Sequence, residues 1–174
     1  MNILILGGGG REHALAWAVL QNPKCDRLVV APGNAGIDRI AECADLDILD
    51  GDAVVAFVDE ESIDFVIVGP EAPLAAGVID RLAAAGISAF GPTAAAAQLE
   101  ASKAFTKEVC DAAGAPTAAW GRFTEAAAAR DYIRARGAPI VVKADGLAAG
   151  KGVIVAMDED QALAAIDDMF GGEF

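Results

Sequence analysis

Two glycine-rich segments with neighbouring cations contain the residues whose types and spacing could hold phosphate groups. The first, Gly7 to His13, follows an apolar run and contains four consecutive glycines before Arg11. The second, Asp145 to Gly152, contains three glycines and begins just after Lys143. Backbone N–H groups left uncovered by side chains, together with a nearby cation, are suitable partners for phosphate oxygens. Both segments therefore predict phosphate-binding loops.

The first segment does not match the dinucleotide-binding fingerprint. Reading G-x-G-x-x-G along it places Glu12 or His13 where the third glycine belongs. The next strand leads into Pro32 and Gly33 instead of an acidic residue that could bind a ribose. A single phosphate monoester beside Arg11 and His13 is therefore predicted rather than NAD. The alternatives are a tight turn without a ligand and, for His13, a purely structural hydrogen-bonding role.

Two further loops follow predicted strands of the same sheet, Pro32 to Gly36 and Gly69 to Leu74. Ligands of parallel sheets bind outside the carboxyl ends of the strands. Asn34 and Glu71 are therefore expected to face the same small molecule as the first glycine loop. Ordinary turn chemistry is the alternative, because turns select Pro, Gly and Asn in any case.

The second segment resembles a P-loop but departs from it in two ways. Its glycine spacing is one residue short of G-x-x-x-x-G-K-[ST], and Gly152 replaces the Ser or Thr that would hold magnesium. The residues that follow, Val153 to Ala156, read as a strand and not as a helix. We predict a lid loop between antiparallel strands that covers nucleotide phosphates, with Lys143 directed into the same space. A plain hairpin is the alternative.

Apolar runs that alternate with segments of helical period predict a parallel α/β sheet over the first hundred residues. The predicted strands are 2–6, 27–31, 65–68 and 88–90, and the predicted helices are 11–21, 50–61 and 74–85. Beyond a boundary near residue 100, we expect helices from Ser102, over 124–136 with Thr124 as N-cap, and over 158–170 with Asp158 as N-cap and Phe170 facing inward. Strands are expected at 118–123, 140–143 and 153–157.

Composition limits the class of protein. With 55% apolar residues, the 174-residue chain can bury a core without disulfides or metal. The net charge of −13 argues against a nucleic-acid partner, since phosphate backbones bind basic faces. Cys25, Cys43 and Cys110 are far apart, which fits a reducing compartment. The sequence shows no membrane span or basic leader, so we expect a cytoplasmic protein without membrane partners.

Six motifs together resemble the phosphoribosylamine-glycine ligase family, also called glycinamide ribonucleotide synthetases, of the ATP-grasp superfamily. They lie at Gly8 to Trp17, Val30 to Gly36, Ile67 to Leu74, Phe90 to Thr93, Ser102 to Lys107 and Val142 to Val153. The resemblance implies an α/β chain with a Rossmann-like, parallel-sheet N-terminal domain over 1–100. It further implies a helical connection over 101–116 and an incomplete ATP-grasp lid subdomain over 117–174.

The resemblance also implies a reaction in purine biosynthesis. ATP would drive the ligation of glycine to 5-phosphoribosylamine through glycyl phosphate, giving glycinamide ribonucleotide, ADP and phosphate. The expected partners are these small molecules, and the expected cofactors are ATP and Mg²⁺ or Mn²⁺. Because the family continues past residue 174, we expect the metal ligands there and no ligase activity from this chain alone. The alternatives are another ATP-grasp ligase and a non-catalytic nucleotide or phosphosugar binding module.

Carried over residue by residue, the resemblance implies two binding sites and assigns no catalytic side chain or metal ligand. The residues expected to bind ATP are Lys103, Lys143, Gly146, Gly150, Lys151 and Gly152. The residues expected to bind phosphoribosylamine are Gly9, Gly10, Arg11, Asn34, Gly36 and Glu71.

Overall fold

The computed structural model describes residues 1–147 and 152–172 and divides the chain into two compact units. The first unit is Met1–Gln98 and the second is Leu99–Phe174. Each unit has its own sheet and its own apolar core. Among the described residues, no helix combines the length and the apolar character needed to cross a bilayer.

The first unit is a parallel sheet with helical connections. Its elements in chain order are β1 (Asn2–Gly7), α1 (Gly10–Leu20), β2 (Arg27–Pro32), a 3-10 turn (Ile37–Arg39), β3 (Glu42–Cys43), α2 (Gly51–Glu60), β4 (Phe65–Val68), α3 (Glu71–Ala75), α4 (Val78–Ala84), β5 (Ala89–Phe90) and α5 (Ala94–Ala101), which extends into the second unit. The strands pair in the order β3-β2-β1-β4-β5, and all four pairings are parallel. The predicted α/β class with a parallel sheet is confirmed.

The central strand β1 explains why the sequence begins with an unbroken apolar run. Leu4, Ile5 and Leu6 are completely buried, because helices cover both faces of the sheet. Leu4 and Leu6 pack in the core that includes residues of α2 and α4, whereas Ile5 packs in the core that includes Ala16 of α1. The loops at the carboxyl ends of β1, β2 and β4 therefore follow strands that are packed in the core.

The predicted helix over 74–85 is wrong in one respect, since two short helices, α3 and α4, occupy this region. Gly77 between them has a φ of 86°, a left-handed conformation that interrupts an α-helix. Leu74, Val78 and Leu82 nevertheless all face the core. The apolar spacing of the sequence therefore continues across a break in the helix.

The second unit contains a two-stranded antiparallel sheet packed against two helices. Its elements after α5 are α6 (Lys103–Ala113), α7 (Ala126–Arg136), β6 (Ile140–Lys143), β7 (Val153–Ala156) and α8 (Glu159–Gly171). Strands β6 and β7 pair from Ile140 opposite Ala156 to Lys143 opposite Val153. Ile133 of α7 and Ile166 of α8 are buried in the core of this unit.

Three expectations for the second unit are wrong, whereas the strand at 140–143 and the N-caps at Ser102 and Asp158 are confirmed. Residues 118–123 form no strand, because no described strand pairs with them. Helix α7 begins after Glu125 rather than after Thr124. Phe170 is 44% exposed, so it does not face inward. The carboxylate of Asp158 accepts the N–H of Gln161 at 2.8 Å, which confirms the predicted N-cap of α8.

Candidate functional site

The loops that follow β1, β2 and β4 meet at the carboxyl edge of the first sheet. The N–H of Gly33 donates to the carbonyl of Gly7 at 3.2 Å, and the side-chain amide of Asn34 donates to the carbonyl of Gly8 at 2.8 Å. On the other side, the guanidinium of Arg11 donates to the carbonyl of Gly69 at 2.5 Å. The structure therefore brings together the three loops singled out in the sequence.

Internal packing accounts for three of the four consecutive glycines. A Cβ on Gly7 would lie 2.6 Å from Cγ of Glu12, a Cβ on Gly8 would lie 2.5 Å from the carbonyl oxygen of Gly33, and a Cβ on Gly9 would lie 2.9 Å from Oε2 of Glu12. A Cβ on Gly10 would meet nothing within 4 Å. Gly10 is the first residue of α1, so the helix begins with an uncovered backbone for which packing gives no reason.

Glu12 belongs to this site, although its sequence position did not identify it as a site residue. Its side chain is only 4% exposed, and it is the one charged residue among the buried residues of the described chain. Its Oε2 accepts the N–H of Gly9 at 2.7 Å, and its Cγ fills the space where Gly69 would otherwise carry a Cβ. The Glu12 side chain therefore holds the loop at Gly7 to Gly10 from its buried side. The sequence signal was its position in the first helical turn, where carboxylates accept backbone N–H groups.

Asn34 shapes its loop with both ends of its side chain. In addition to the bond to Gly8, its Oδ1 accepts the N–H groups of Gly36 at 2.8 Å and of Ile37 at 3.0 Å. The ring of His13 packs directly over Gly36, where a Cβ would lie 2.9 Å from its Cε1. These contacts explain why the loop needs Asn34 and Gly36. Direct contact of either residue with a ligand stays a prediction.

Arg11 and Glu71 place opposite charges beside the open end of α1. Their side chains form an ion pair of 3.1 Å and are both substantially exposed. The pKa of Glu71 is lowered, first by a hydrogen bond from its own backbone N–H in the first turn of α3 and then by the Arg11 guanidinium. The edge therefore offers a cation and an ionised carboxylate at neutral pH.

In the second unit, the carboxylate of Asp145 lies at the N-terminus of α6. Its Oδ1 accepts the N–H of Lys103 at 2.8 Å and the N–H of Ala104 at 3.3 Å. Desolvation acts to raise the pKa of Asp145, but hydrogen bonds from the N–H groups of Ala104, Lys103 and Gly146 and from the Ser102 hydroxyl outweigh it, so the pKa is lowered. Asp145 is thus an ionised cap that joins the end of β6 to α6.

Of the residues expected to bind ATP, Lys103 and Gly146 are in contact. The ammonium of Lys103 donates to the carbonyl of Gly146 at 2.8 Å. Lys143 is exposed at the end of β6, and its side chain makes no hydrogen bond or ion pair within the part of the chain that the structure describes. Gly152 is buried just before β7. Gly150 and Lys151 lie outside the described residues.

The described residues offer no metal centre. Residues 1–147 and 152–172 contain no group of three or more His, Cys, Asp or Glu side chains that could hold a metal ion. Within the described ranges, the structure thus shows no protein cluster for the Mg²⁺ or Mn²⁺ that the resemblance implies.

The architecture is that of the ATP-grasp ligases, in which a Rossmann-like sheet precedes the nucleotide-binding part. A solved phosphoribosylamine-glycine ligase from Thermotoga maritima superposes with a TM-score of 0.77 at 27% identity, covering 99% of this chain and 41% of that one. This likeness confirms the predicted fold class.

Two family descriptions divide the chain between them. Residues 1–100 match "Phosphoribosylglycinamide synthetase, N domain", and residues 101–174 match "Phosphoribosylglycinamide synthetase, ATP-grasp (A) domain". The chain belongs to the phosphoribosylglycinamide synthetase family, as the six motifs predicted.

Curated relatives in this family are named phosphoribosylamine-glycine ligase. Those from Agrobacterium fabrum and Rhizobium meliloti are 60% and 58% identical to this chain over 174 residues. In both comparisons the alignment covers all of this chain but only 41% of the relative. The chain therefore spans about two fifths of the length of the ligases it matches.

Proposed function

We propose that this chain supplies the phosphoribosylamine site and the lid half of the ATP site of a ligase that joins glycine to 5-phosphoribosylamine. ATP phosphorylates the glycine carboxylate, which gives glycyl phosphate and ADP. The amine of phosphoribosylamine then attacks the acyl carbon, so that a C–N bond forms and phosphate leaves. Membership of the family and the 60% identity to a relative of that name support this proposal.

The observation that carries the proposal is the uncovered start of α1. The first N–H groups of a helix have no acceptor within the helix, and the helix dipole adds partial positive charge there. Gly10 leaves this end open, and Arg11, which is paired with Glu71, places its guanidinium beside it. We assign the 5-phosphate of the sugar to this end of α1. The Glu71 carboxylate, an acceptor, suits the hydroxyl or amine hydrogens of the ribosylamine.

The ATP phosphates are assigned to the second unit, where the cations are side chains. The transferred phosphoryl group carries spread negative charge, and the protein contributes mainly by positioning and shielding that charge. Lys103 and Lys143 supply two ammonium groups for this purpose, and Gly146, Gly150, Lys151 and Gly152 belong to the loop that covers the phosphates. The metal that such ligases use would be held by residues outside the described part of this chain.

Binding and turnover test separate parts of the proposal. Amide NMR of the 174-residue chain should show shifts at Gly9 and Gly10 on titration with ribose 5-phosphate, and no such shifts with ribose. Turnover requires a longer protein, so we would replace the aligned segment of the Agrobacterium fabrum ligase by this chain. This chimera should release phosphate from ATP only when glycine is present together with phosphoribosylamine, formed in situ from ribose 5-phosphate and ammonia.

Each rival function has its own outcome in these assays. ATP turnover that does not depend on glycine would favour another ATP-grasp ligase. A folded chimera that binds ribose 5-phosphate but never turns over ATP would favour a binding module. If neither ribose 5-phosphate nor ATP bound, the proposed function would be wrong.

A further inference from the structure

The N-terminus of α6 is closed by the protein's own groups, in contrast to the open end of α1. The N–H groups of Lys103 and Ala104 donate to Asp145, and the N–H of Phe105 donates to Oγ of Ser102 at 3.1 Å. The first bond within the helix follows, from the N–H of Thr106 to the carbonyl of Ser102. Because the first-turn donors already have acceptors, this helix end does not present them to a ligand phosphate.

Asp145 connects segments that are far apart in the sequence. It lies 42 residues from Lys103 and directly precedes Gly146, the first glycine of the second glycine-rich segment. Its two oxygens also accept the Ser102 hydroxyl at 3.2 and 3.3 Å, and the guanidinium of Arg122 lies 3.6 Å from Oδ2. A single carboxylate thus ties the start of α6 to the start of the loop.

Lys103 is held at both ends by the same two residues. Its backbone N–H donates to Asp145, and its ammonium donates to the carbonyl of Gly146 at 2.8 Å. An ammonium group has three donor hydrogens, so two are left for phosphate oxygens. The position of the Lys103 charge relative to the glycine loop therefore depends on Asp145.

We propose that Asp145 is a positioning residue for ATP, which holds the start of α6 against Gly146 so that the Lys103 ammonium is placed to meet the ATP phosphates. Asp145 does not itself touch the nucleotide, because its carboxylate is engaged by backbone N–H groups, a hydroxyl and a guanidinium. The inference rests on the proposed function in that it takes ATP as the ligand.

The chain offers a matched control for loss of this cap. Asp158 also caps a helix in the second unit, through a 2.8 Å bond from the N–H of Gln161, and it makes no contact with Lys103 among the described residues. Asp145→Ala and Asp158→Ala each remove a carboxylate that accepts N–H groups at the start of a helix, and Asp145→Ala is expected to lower stability more because Asp145 has more partners. Only the first breaks the link to the glycine loop.

Steady-state kinetics of the chimeric ligase test the role. Asp145→Ala should raise KM for ATP about tenfold, the effect of losing one or two hydrogen bonds that hold the lysine, while KM for glycine is unchanged. Asp158→Ala should leave both constants unchanged. Asp145→Asn keeps an acceptor for the Lys103 N–H and should fall between wild type and Asp145→Ala, so it also serves if the alanine variant does not fold.

A double-mutant cycle tests whether Asp145 acts through Lys103. Lys103→Met removes the ammonium, so adding Asp145→Ala to it should raise KM for ATP no further. In the 174-residue chain, Asp145→Ala should also accelerate amide exchange at Lys103 and Ala104.

The outcomes distinguish this inference from the proposed function. An active chimera in which Asp145→Ala and Asp145→Asn leave KM for ATP unchanged would overturn the inference and leave the ligase function standing. Additive effects in the cycle would overturn the action through Lys103. A folded wild-type chimera that does not bind ATP would overturn both, since no phosphates would then meet this unit.

Discussion

A pair of glycine-to-alanine substitutions can separate the fold of the first glycine loop from its binding role. In Gly8→Ala, the new Cβ would lie 2.5 Å from the carbonyl oxygen of Gly33, so the backbone of one loop must shift. In Gly10→Ala, the new Cβ meets nothing within 4 Å. The two substitutions add the same methyl group two positions apart, yet the structure predicts opposite consequences.

The expected magnitudes follow from these contacts. Gly8→Ala should destabilise the chain by about 1–3 kcal/mol, which is the usual cost of forcing an extra carbon into a packed site. Gly10→Ala should leave stability unchanged or raise it by about 0.5 kcal/mol, since alanine restricts the unfolded chain more than glycine does. If a phosphate approaches the start of α1, however, the Gly10→Ala methyl group lies in its way. Losing one hydrogen bond to a charged group costs about 1.5–3 kcal/mol, so the Kd for ribose 5-phosphate should rise about tenfold or more.

Urea unfolding and amide NMR titration with ribose 5-phosphate measure the two effects. A stable Gly10→Ala variant that binds ribose 5-phosphate weakly is the expected result. If Gly10→Ala bound ribose 5-phosphate as tightly as the wild type, the phosphate would not lie at the start of α1. A Gly8→Ala variant of wild-type stability would instead show that the carbonyl oxygen of Gly33 does not lie as close to Gly8 as the structure places it.

Three further predictions concern the carboxylates and the chain as a whole. Glu12→Ala should lower the free energy of unfolding by about 1–3 kcal/mol, because a buried side chain and its half-buried hydrogen bond from the N–H of Gly9 are both lost, and Glu12→Gln should lose less. Unchanged urea midpoints for the alanine variant would contradict this. An NMR titration should find the pKa of Asp145 below the ordinary aspartate value, and Ser102→Ala should raise it. Because folding lowers this pKa, the stability that Asp145 contributes is fully present above the ordinary aspartate pKa and is lost as the pH falls through the folded-state pKa. Acid-induced changes near α6 that begin above the ordinary aspartate pKa would refute the lowered pKa of Asp145. Finally, the 174-residue chain alone should show no glycine-dependent phosphate release from ATP, because its described residues hold no metal cluster and its relatives are much longer; such release would refute the expectation.

Sequence reasoning succeeded where a local pattern has one physical cause. Strand β1 was predictable because a parallel strand buried on both faces needs an unbroken apolar run. The caps at Ser102 and Asp158 were predictable because short polar side chains satisfy the N–H groups of the first helical turn. The meeting of three glycine-containing loops followed from the topology, since the carboxyl ends of parallel strands share one edge.

It failed where the outcome depends on residues distant in the sequence or on a single backbone angle. The break at Gly77 left the apolar spacing intact, because Leu74 and Val78 stay buried on either side of it. The packing of Glu12 beneath the loop depends on Gly69, and the role of Asp145 depends on Lys103. A carboxylate in a sequence does not reveal whether its partners are ligands or the protein's own amides.

The difference between the two helix ends has a consequence for turnover. On the proposed function, the phosphate of the sugar passes through the reaction chemically unchanged, whereas the terminal phosphate of ATP is transferred and then released. Backbone amides at the start of α1 cannot follow a moving group, but they can hold a stationary one without readjustment. The Lys143 ammonium group, which is exposed and makes no bond within the described residues, can accompany a phosphoryl group as it changes bonding partners. On the proposed function, the closed end of α6 leaves the transferred phosphate to side-chain cations, whereas the backbone N–H groups at the start of α1 bind the phosphate that does not react.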